Sequence, residues 1–415
     1  DGSVETFGYL ANGLRDQATG SEGIVSTTYD SRDRVLTVTQ STGMVSYDYD
    51  LAGQQTAMSS PNQSVLYGYD AIGRLQTITD ASGTTNYGYD PAGNKVLIER
   101  PNLSSSEMLF DTRNRTTHIE HRDASDNLID RYIYSYDDNG QRSSLTTADG
   151  TTETYVYDNL RRLVNATRIG NNPFNISYSY DLVGNRTSID RDGVFESYVY
   201  DDNDRLLSAG TTTFTYDGNG NRTAMIADGD LTRYRWDGEG QLTNIDVNGL
   251  ELATFRYDVD GNRTGVDRPG SSEQFLIDRL SRTGYPQIIE ESDGDDLLTA
   301  THTYGADLLA STRGATEYPL VDGLGSTRVV IDDSTATMAS TDYAPFGEVI
   351  AESGSSLNPY LFAGEREETA VGGYDLRSRF YDPSIGAFLG RDAFSGTLEV
   401  PVTQHPYLYA ASDPV

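Results

Sequence analysis

The chain has no cysteine, and only one lysine (Lys95) and one tryptophan (Trp236), in 415 residues. The absence of thiols excludes disulfide staples, thiolate nucleophiles and Cys-ligated metals. It does not fix a compartment, because a large surface protein can fold without disulfides. Basic residues number 31 against 63 acidic ones, a formal net charge of −32. Clustered cations, which binding to a phosphate backbone requires, are therefore missing, and nucleic acid is not expected as a partner. No apolar run reaches the ~18 residues of a transmembrane helix, so no membrane span is expected. Asp1–Gly20 lacks the charged and apolar stretches of a secretory signal and reads as an arbitrary cut in a longer polypeptide. With 4 His and no Cys, no triad for nucleophilic catalysis can be assembled. The acidity has two readings: a soluble acidic surface, or life in high salt, where screening weakens self-repulsion.

What the chain does have is tyrosine (29), glycine (41) and a period. A variant of aromatic–x–aromatic–Asp–x–x–Gly–Asn/Arg recurs thirteen times, with Asp at 30, 50, 70, 90, 111, 137, 158, 181, 201, 217, 237, 258 and 278. The commonest step is 20 residues. A fixed period of that length marks a repeat architecture, in which one unit cannot bury its apolar face alone. In Thr84–Glu99, Tyr87 and Tyr89 stand two apart, so both rings face one side of an extended strand. Asp90 ends the strand by offering its carboxylate to backbone N–H groups further on, Pro91 presets the turn, and Gly93 supplies the positive φ. Asp80–Gly83, Ala148–Gly150, Asp192-Gly193 and Asn248-Gly249 mark the turns at the other end of the units. Each unit thus reads as a β-hairpin with strands of about six residues. Stacked copies align their tyrosines into one aromatic ladder on a twisting antiparallel sheet, which must curl. No helix of consequence is expected.

Tyr69-Asp70-Ala-Ile-Gly73-Arg74, Tyr180-Asp181-Leu-Val-Gly184-Asn185 and Tyr216-Asp217-Gly-Asn-Gly220-Asn221 resemble the YD repeats of the Rhs/YD-repeat family. That family includes Rhs toxins, the C component of Tc toxins and the teneurins. From about Tyr318 the chain is similar to the Rhs-repeat-associated core. The elements are Asp322–Arg328 (DGLGSTR), Tyr343–Gly347 (YAPFG), Phe362–Glu365 (FAGE), Arg377–Pro383 (RSRFYDP), Gly386–Asp392 (GAFLGRD) and Tyr407–Pro414 (YLYAASDP), in family order. The resemblance implies an all-β fold: stacked hairpins forming a spiral antiparallel sheet, wound into a hollow shell, with a C-terminal plug. It divides the chain into a YD-repeat shell, residues 1–315, and a core or plug segment, residues 316–415. It also implies a secreted or cell-surface protein whose partner is its own C-terminal effector or cargo, released in toxin relatives by autoproteolysis just past the core.

The same resemblance maps one half of an aspartyl-type autoproteolytic site onto Asp392 and Arg379. The second carboxylate and the cleaved bond would lie beyond residue 415, and Ala393 stands where the family usually has Pro. The alternative for the pair is a structural salt bridge under the plug. Asp413 precedes Pro414 at the family's Asn position and is not the missing carboxylate. No cofactor and no metal are expected. Asp217-x-Asn219-x-Asn221 and Asp258-x-Asp260-x-Asn262 resemble the start of a calcium loop but lack its closing Glu and read as ordinary YD turns. His118 and His121, three apart on a strand, face opposite ways. Asn-x-Ser/Thr sequons at Asn62, Asn102, Asn114, Asn165, Asn175, Asn185, Asn221 and Asn262 matter only if the source glycosylates surface loops. Three functional readings follow. The first is a structural shell that encapsulates or presents a cargo, with no small-molecule turnover. The second is an adhesive or filament-forming surface protein that meets glycans, other surface proteins or copies of itself through an unpaired strand edge. The third is a self-cleaving protease.

Overall fold

In the computed structural model, which describes residues 4–394, 396–397 and 401–415, the chain is nearly all β. Thirty-four strands, from Thr6–Tyr9 to Val349–Gly354, form one sheet. The Asp-containing turn shows why the sequence folds this way. Asp30 N–H donates to Arg34 O at 2.8 Å and Asp33 N–H to Asp30 O at 3.1 Å, closing a tight loop. The Asp30 carboxylate accepts the N–H groups of Arg32 and Arg34 at 2.8 and 3.0 Å. The loop's fourth residue is left-handed, and Gly takes it at Gly53, Gly73 and Gly93. In four repeats Asp33, Asn114, Arg161 and Asp204 do so instead, at φ of 62, 59, 66 and 61°. Asp and Asn visit that region readily; Arg161 does so at a cost. Asp192-Gly193 and Asn248-Gly249 have positive φ at both residues, as type I′ hairpin turns require.

A bulge accompanies the Asp-containing turns. Tyr29 pairs with Val35 and Thr28 with Thr37, leaving Leu36 unpaired. The same slip recurs beside Tyr49, Tyr69 and Tyr89. Bulges sharpen the right-handed twist of a sheet. Repeated once per hairpin, they wind it.

Side chains bind each repeat to the next. Arg34 donates Nε to its own Asp30 at 2.7 Å and lays its guanidinium 4.6 Å from the centre of the Tyr49 ring, one repeat on. Tyr49 then donates its hydroxyl back to Val35 O at 2.9 Å. Arg74, Asp70 and Tyr89 repeat the arrangement, with Tyr89 donating to Leu75 O at 2.7 Å. So do Arg115, Asp111 and Tyr136. The expected tyrosine ladder is therefore threaded by guanidinium groups rather than built ring on ring. The other tyrosine of each motif, such as Tyr47, Tyr67 and Tyr87, is buried in the core.

The winding is visible in contacts between residues far apart in sequence. Arg15 binds Asp260, 245 residues away, at 2.6 and 2.7 Å. Gln40 donates to Ile277 O, 237 residues on, and Asn62 to Glu290, 228 on. Lys95 meets Asp307 after 212 residues and Arg168 meets Asp342 after 174. The chain thus runs back alongside itself, and the interval shortens toward the C-terminus. The thirteenth Asp departs from the pattern at this seam. The loop after Asp278 runs to Gln287 before the next strand, and the Asp278 carboxylate accepts the Tyr47 hydroxyl at 2.7 Å. Beyond residue 315 the main sheet continues to Gly354. A second sheet of four short strands (Arg366–Glu368, Gly373–Asp375, Phe380–Asp382 and Ala387–Phe388) then packs on its core.

Candidate functional site at the plug

The small sheet and the segment after it lie against the repeats between about residues 134 and 305. Phe380 of the small sheet packs against Phe255 at 5.2 Å between ring centres, and Phe346, on the turn between the last two main-sheet strands, sits edge-on to Tyr178 at 5.1 Å. Gly386 has a φ of 67° and touches the buried Arg186 guanidinium, so a side chain there would collide with it. Tyr407 donates its hydroxyl to Gly220 O at 2.7 Å, and His405 Nε2 lies 2.8 Å from Asn185 Oδ1.

Charge fastens the plug to the shell. From Arg313 Nη2 a line of ion pairs runs to Glu291 (2.5 Å), Arg366 (2.5 Å), Glu273 (3.0 Å) and Arg268 (2.9 Å). It continues to Glu368 (2.8 Å), Arg263 (2.8 Å) and Asp375 (2.9 Å). Signs alternate throughout. Arg366, Glu368 and Asp375 belong to the plug; the other five stand on shell strands. Glu291 is wholly buried and also takes His302 Nε2 at 2.8 Å. Burial alone would raise the Glu291 carboxyl, but Arg366, His302 and Arg313 hold it well below its usual range. Burial pushes His302 the other way, below the ordinary histidine value, so it stays neutral. Burial also raises Asp375, against the pull of Arg263.

Arg379 and Asp392 meet at one end of this plug. Arg379 Nη2 lies 2.9 Å from Asp392 Oδ2, and its guanidinium stands 3.7 Å over the Phe388 ring. Asp392 Oδ1 accepts the Phe394 N–H at 2.8 Å, and the Asp392 N–H donates to Pro406 O at 2.9 Å. Burial lowers the Arg379 guanidinium, with Asp392 opposing. Two residues thirteen apart in sequence are thus joined in a half-exposed ion pair held by backbone on both sides. Asp413 is elsewhere engaged: Gln141 Nε2 donates to its Oδ2 at 3.1 Å, and burial raises its carboxyl. The calcium-like loop at Asp258 and Asp260 has its carboxylates taken by Arg279 and Arg15. In the other, the Asp217 carboxylate accepts the N–H groups of Asn219 and Asn221. His118 pairs with Glu120 on one face, while His121 is buried between Ser106 and Val321 O. Sequence reasoning missed the ionic line, because Glu291, Arg313, Arg366, Glu368 and Asp375 come from segments without the repeat's period.

A family model described as the teneurin YD-shell matches residues 141–415, and an RHS repeat model matches residues 29–65 and 69–102. The chain belongs to the teneurin YD-shell family. This YD-shell chain is 29% identical over 134 residues to the tRNA3(Ser)-specific nuclease WapA of Bacillus spizizenii, covering 31% of the chain and 6% of the relative. It is 35% identical over 101 residues to Salivary gland surface protein 1 of Aedes aegypti, covering 23% and 3%. The crystal structure of TcdB2-TccC3-Cdc42 superposes with a TM-score of 0.66 at 16% identity, covering 99% of this chain and 27% of that one. The TcdB2-TccC3 structure gives 0.65 at 15%, covering 99% and 28%. These two likenesses establish the shell fold. The chain spans a small part of every one of these relatives.

Proposed function

We propose that this YD-shell chain is the plugged end of a larger secreted or surface protein, and that the shell encloses or presents a polypeptide cargo continuing past Val415. The reading rests on where the C-terminal segment lies. Val415 packs against the core cluster of Tyr134, Tyr155 and Phe346 and shares a small cavity with Arg142 and Arg328. A chain continuing from that point starts among the inward-facing rings of the repeats. Ser412 is likewise buried, and Tyr407 is pinned to Gly220. Within this reading Arg379 and Asp392 form half of a single-turnover autoproteolytic site. The guanidinium fixes one carboxylate, and a second carboxylate supplied from beyond residue 415 would complete the acid–base pair.

The test is to extend the chain past Val415 with its native continuation or a small reporter domain. Encapsulation predicts that the extension resists added protease while the shell is folded. An extension digested as fast as the isolated domain would sink it. Self-cleavage predicts a discrete fragment by mass spectrometry that is lost in Asp392→Asn; cleavage unaffected by that change removes the protease role and leaves the shell standing.

A further inference from the structure

Where the plug meets the shell, a cavity of about 190 Å³ remains open between Asn262, Arg263 and Ile277 on one side and Tyr360, Arg366 and Arg377 on the other. Three carboxylates line it, and each is already taken. Asp375 is 2.9 Å from Arg263 Nε and accepts the Arg377 N–H at 2.8 Å. Glu365 accepts Arg377 Nη1 at 2.9 Å, and Asp260 binds Arg15 and Arg279. Two donors are left without a partner, Arg263 Nη2 and Arg377 Nε, and the Tyr360 hydroxyl lies beside the Tyr304 hydroxyl and the Arg366 guanidinium. Arg263 and Tyr360 are both more than nine-tenths buried. Unpaired buried donors are costly, and the two arginines that contribute them line one cavity together with Tyr360. A ligand that satisfies them must accept hydrogen bonds. Ile277, Pro286 and Ile288 give the wall an apolar stretch, interrupted by Gln287, with Ser378 also lining the cavity, and the space exceeds one monoatomic ion.

We propose that this cavity binds a small organic carboxylate, its oxygens toward the arginine and tyrosine donors and its apolar part against Ile277, Pro286 and Ile288. The ligand would touch plug and shell together, so its binding tightens their union.

Benzoate titrated into the full chain at pH 7 and followed by calorimetry is the test. One saturable site is expected, with a rise in melting temperature; benzamide and benzylammonium should not bind. Removing one donor, in Tyr360→Phe or Arg377→Met, should weaken benzoate about tenfold, the effect of a hydrogen bond to a charged group. Filling the cavity with Ile288→Trp should abolish binding while far-ultraviolet circular dichroism stays that of the parent. If that variant misfolds, the near-isosteric Tyr360→Phe decides alone. No heat up to about 10 mM benzoate, equal binding of benzamide, or unchanged affinity in Tyr360→Phe overturns the assignment. Equal competition by chloride or phosphate also overturns it, since a bare anion hole would not need the apolar wall.

Discussion

Arg366 on the plug and Glu291 on a shell strand, 75 residues apart, are joined at 2.5 Å, both buried. Neither charge would be tolerated there alone, because desolvation exceeds what a single imperfect pairing returns. Each is held by a second opposite charge, Arg313 for the glutamate and Glu273 for the arginine. Truncating Glu291 to Leu takes this partner from Arg313 and His302 and leaves Arg366 with Glu273 alone. The expected cost is about 3–5 kcal/mol, read as a fall in the denaturant midpoint, with the largest gain in hydrogen exchange in residues 360–390. Arg122→Ala, in a surface pair with Glu120, should stay within about 0.5 kcal/mol of the parent. Equal losses in the two variants would remove the special place given to the buried line.

The ladder of tyrosine hydroxyls makes a second, graded prediction. Tyr49, Tyr69 and Tyr89 donate to backbone carbonyls of the preceding repeat. Each Tyr→Phe change should lower stability by about 1 kcal/mol. The triple variant should be close to additive, because one repeat separates neighbouring sites. Denaturant titration of the single and triple variants checks this; a triple variant as stable as the parent refutes it.

Acid should loosen the protein through its two buried histidines, His121 and His302. His121 is fully buried, and burial drives its pKa down to about 3; His302 is lowered for the same reason. In the unfolded chain both take up protons near pH 6.5. Below that pH the unfolded state therefore binds protons that the folded state refuses, and stability falls as pH falls. For His121 the contribution is complete above pH 6.5 and declines from there toward about 3, by up to about 1.4 kcal/mol per pH unit; His302 adds to the fall in the same direction. Stability measured at pH 7, 6 and 5 should decrease, and His121→Gln should flatten the slope. A rise in stability over that interval would contradict the assignment.

Salt should act in the opposite direction. With a net charge of −32, the folded shell repels itself, and raising sodium chloride from 0.1 to 1 M shortens the screening length from about 10 to 3 Å. The melting temperature should climb across that range. A flat response would mean that the acidic surface costs the fold little.

The sequence pattern revealed the hairpin well and the winding poorly, for a physical reason. Asp90, Pro91 and Gly93 act within five residues of one another, so their turn can be read locally. Arg379 and Asp392 were singled out by the family resemblance, not by any local pattern, and the ion pair between them closes over thirteen residues. The overlap of Arg15 with Asp260 depends instead on twist accumulated over some two dozen strands, which no local motif records. Glu291, Arg366 and Glu368 fall outside the period and stand next to nothing that advertises burial, so the line they form was hidden. Arg34 and Arg74 were visible as the final residue of the motif. Their reach to the next repeat's ring was not, because it depends on the bulge that follows the turn.

The contact between Arg15 and Asp260 has a mechanical side. Around the coil, neighbouring strands are tied by continuous backbone ladders; across successive windings, the ties described here are side chains meeting one at a time. Such a wall resists stretch along its strand-to-strand direction far more than it resists parting between windings. Under load, the casing would come apart as a ribbon with its hairpins intact.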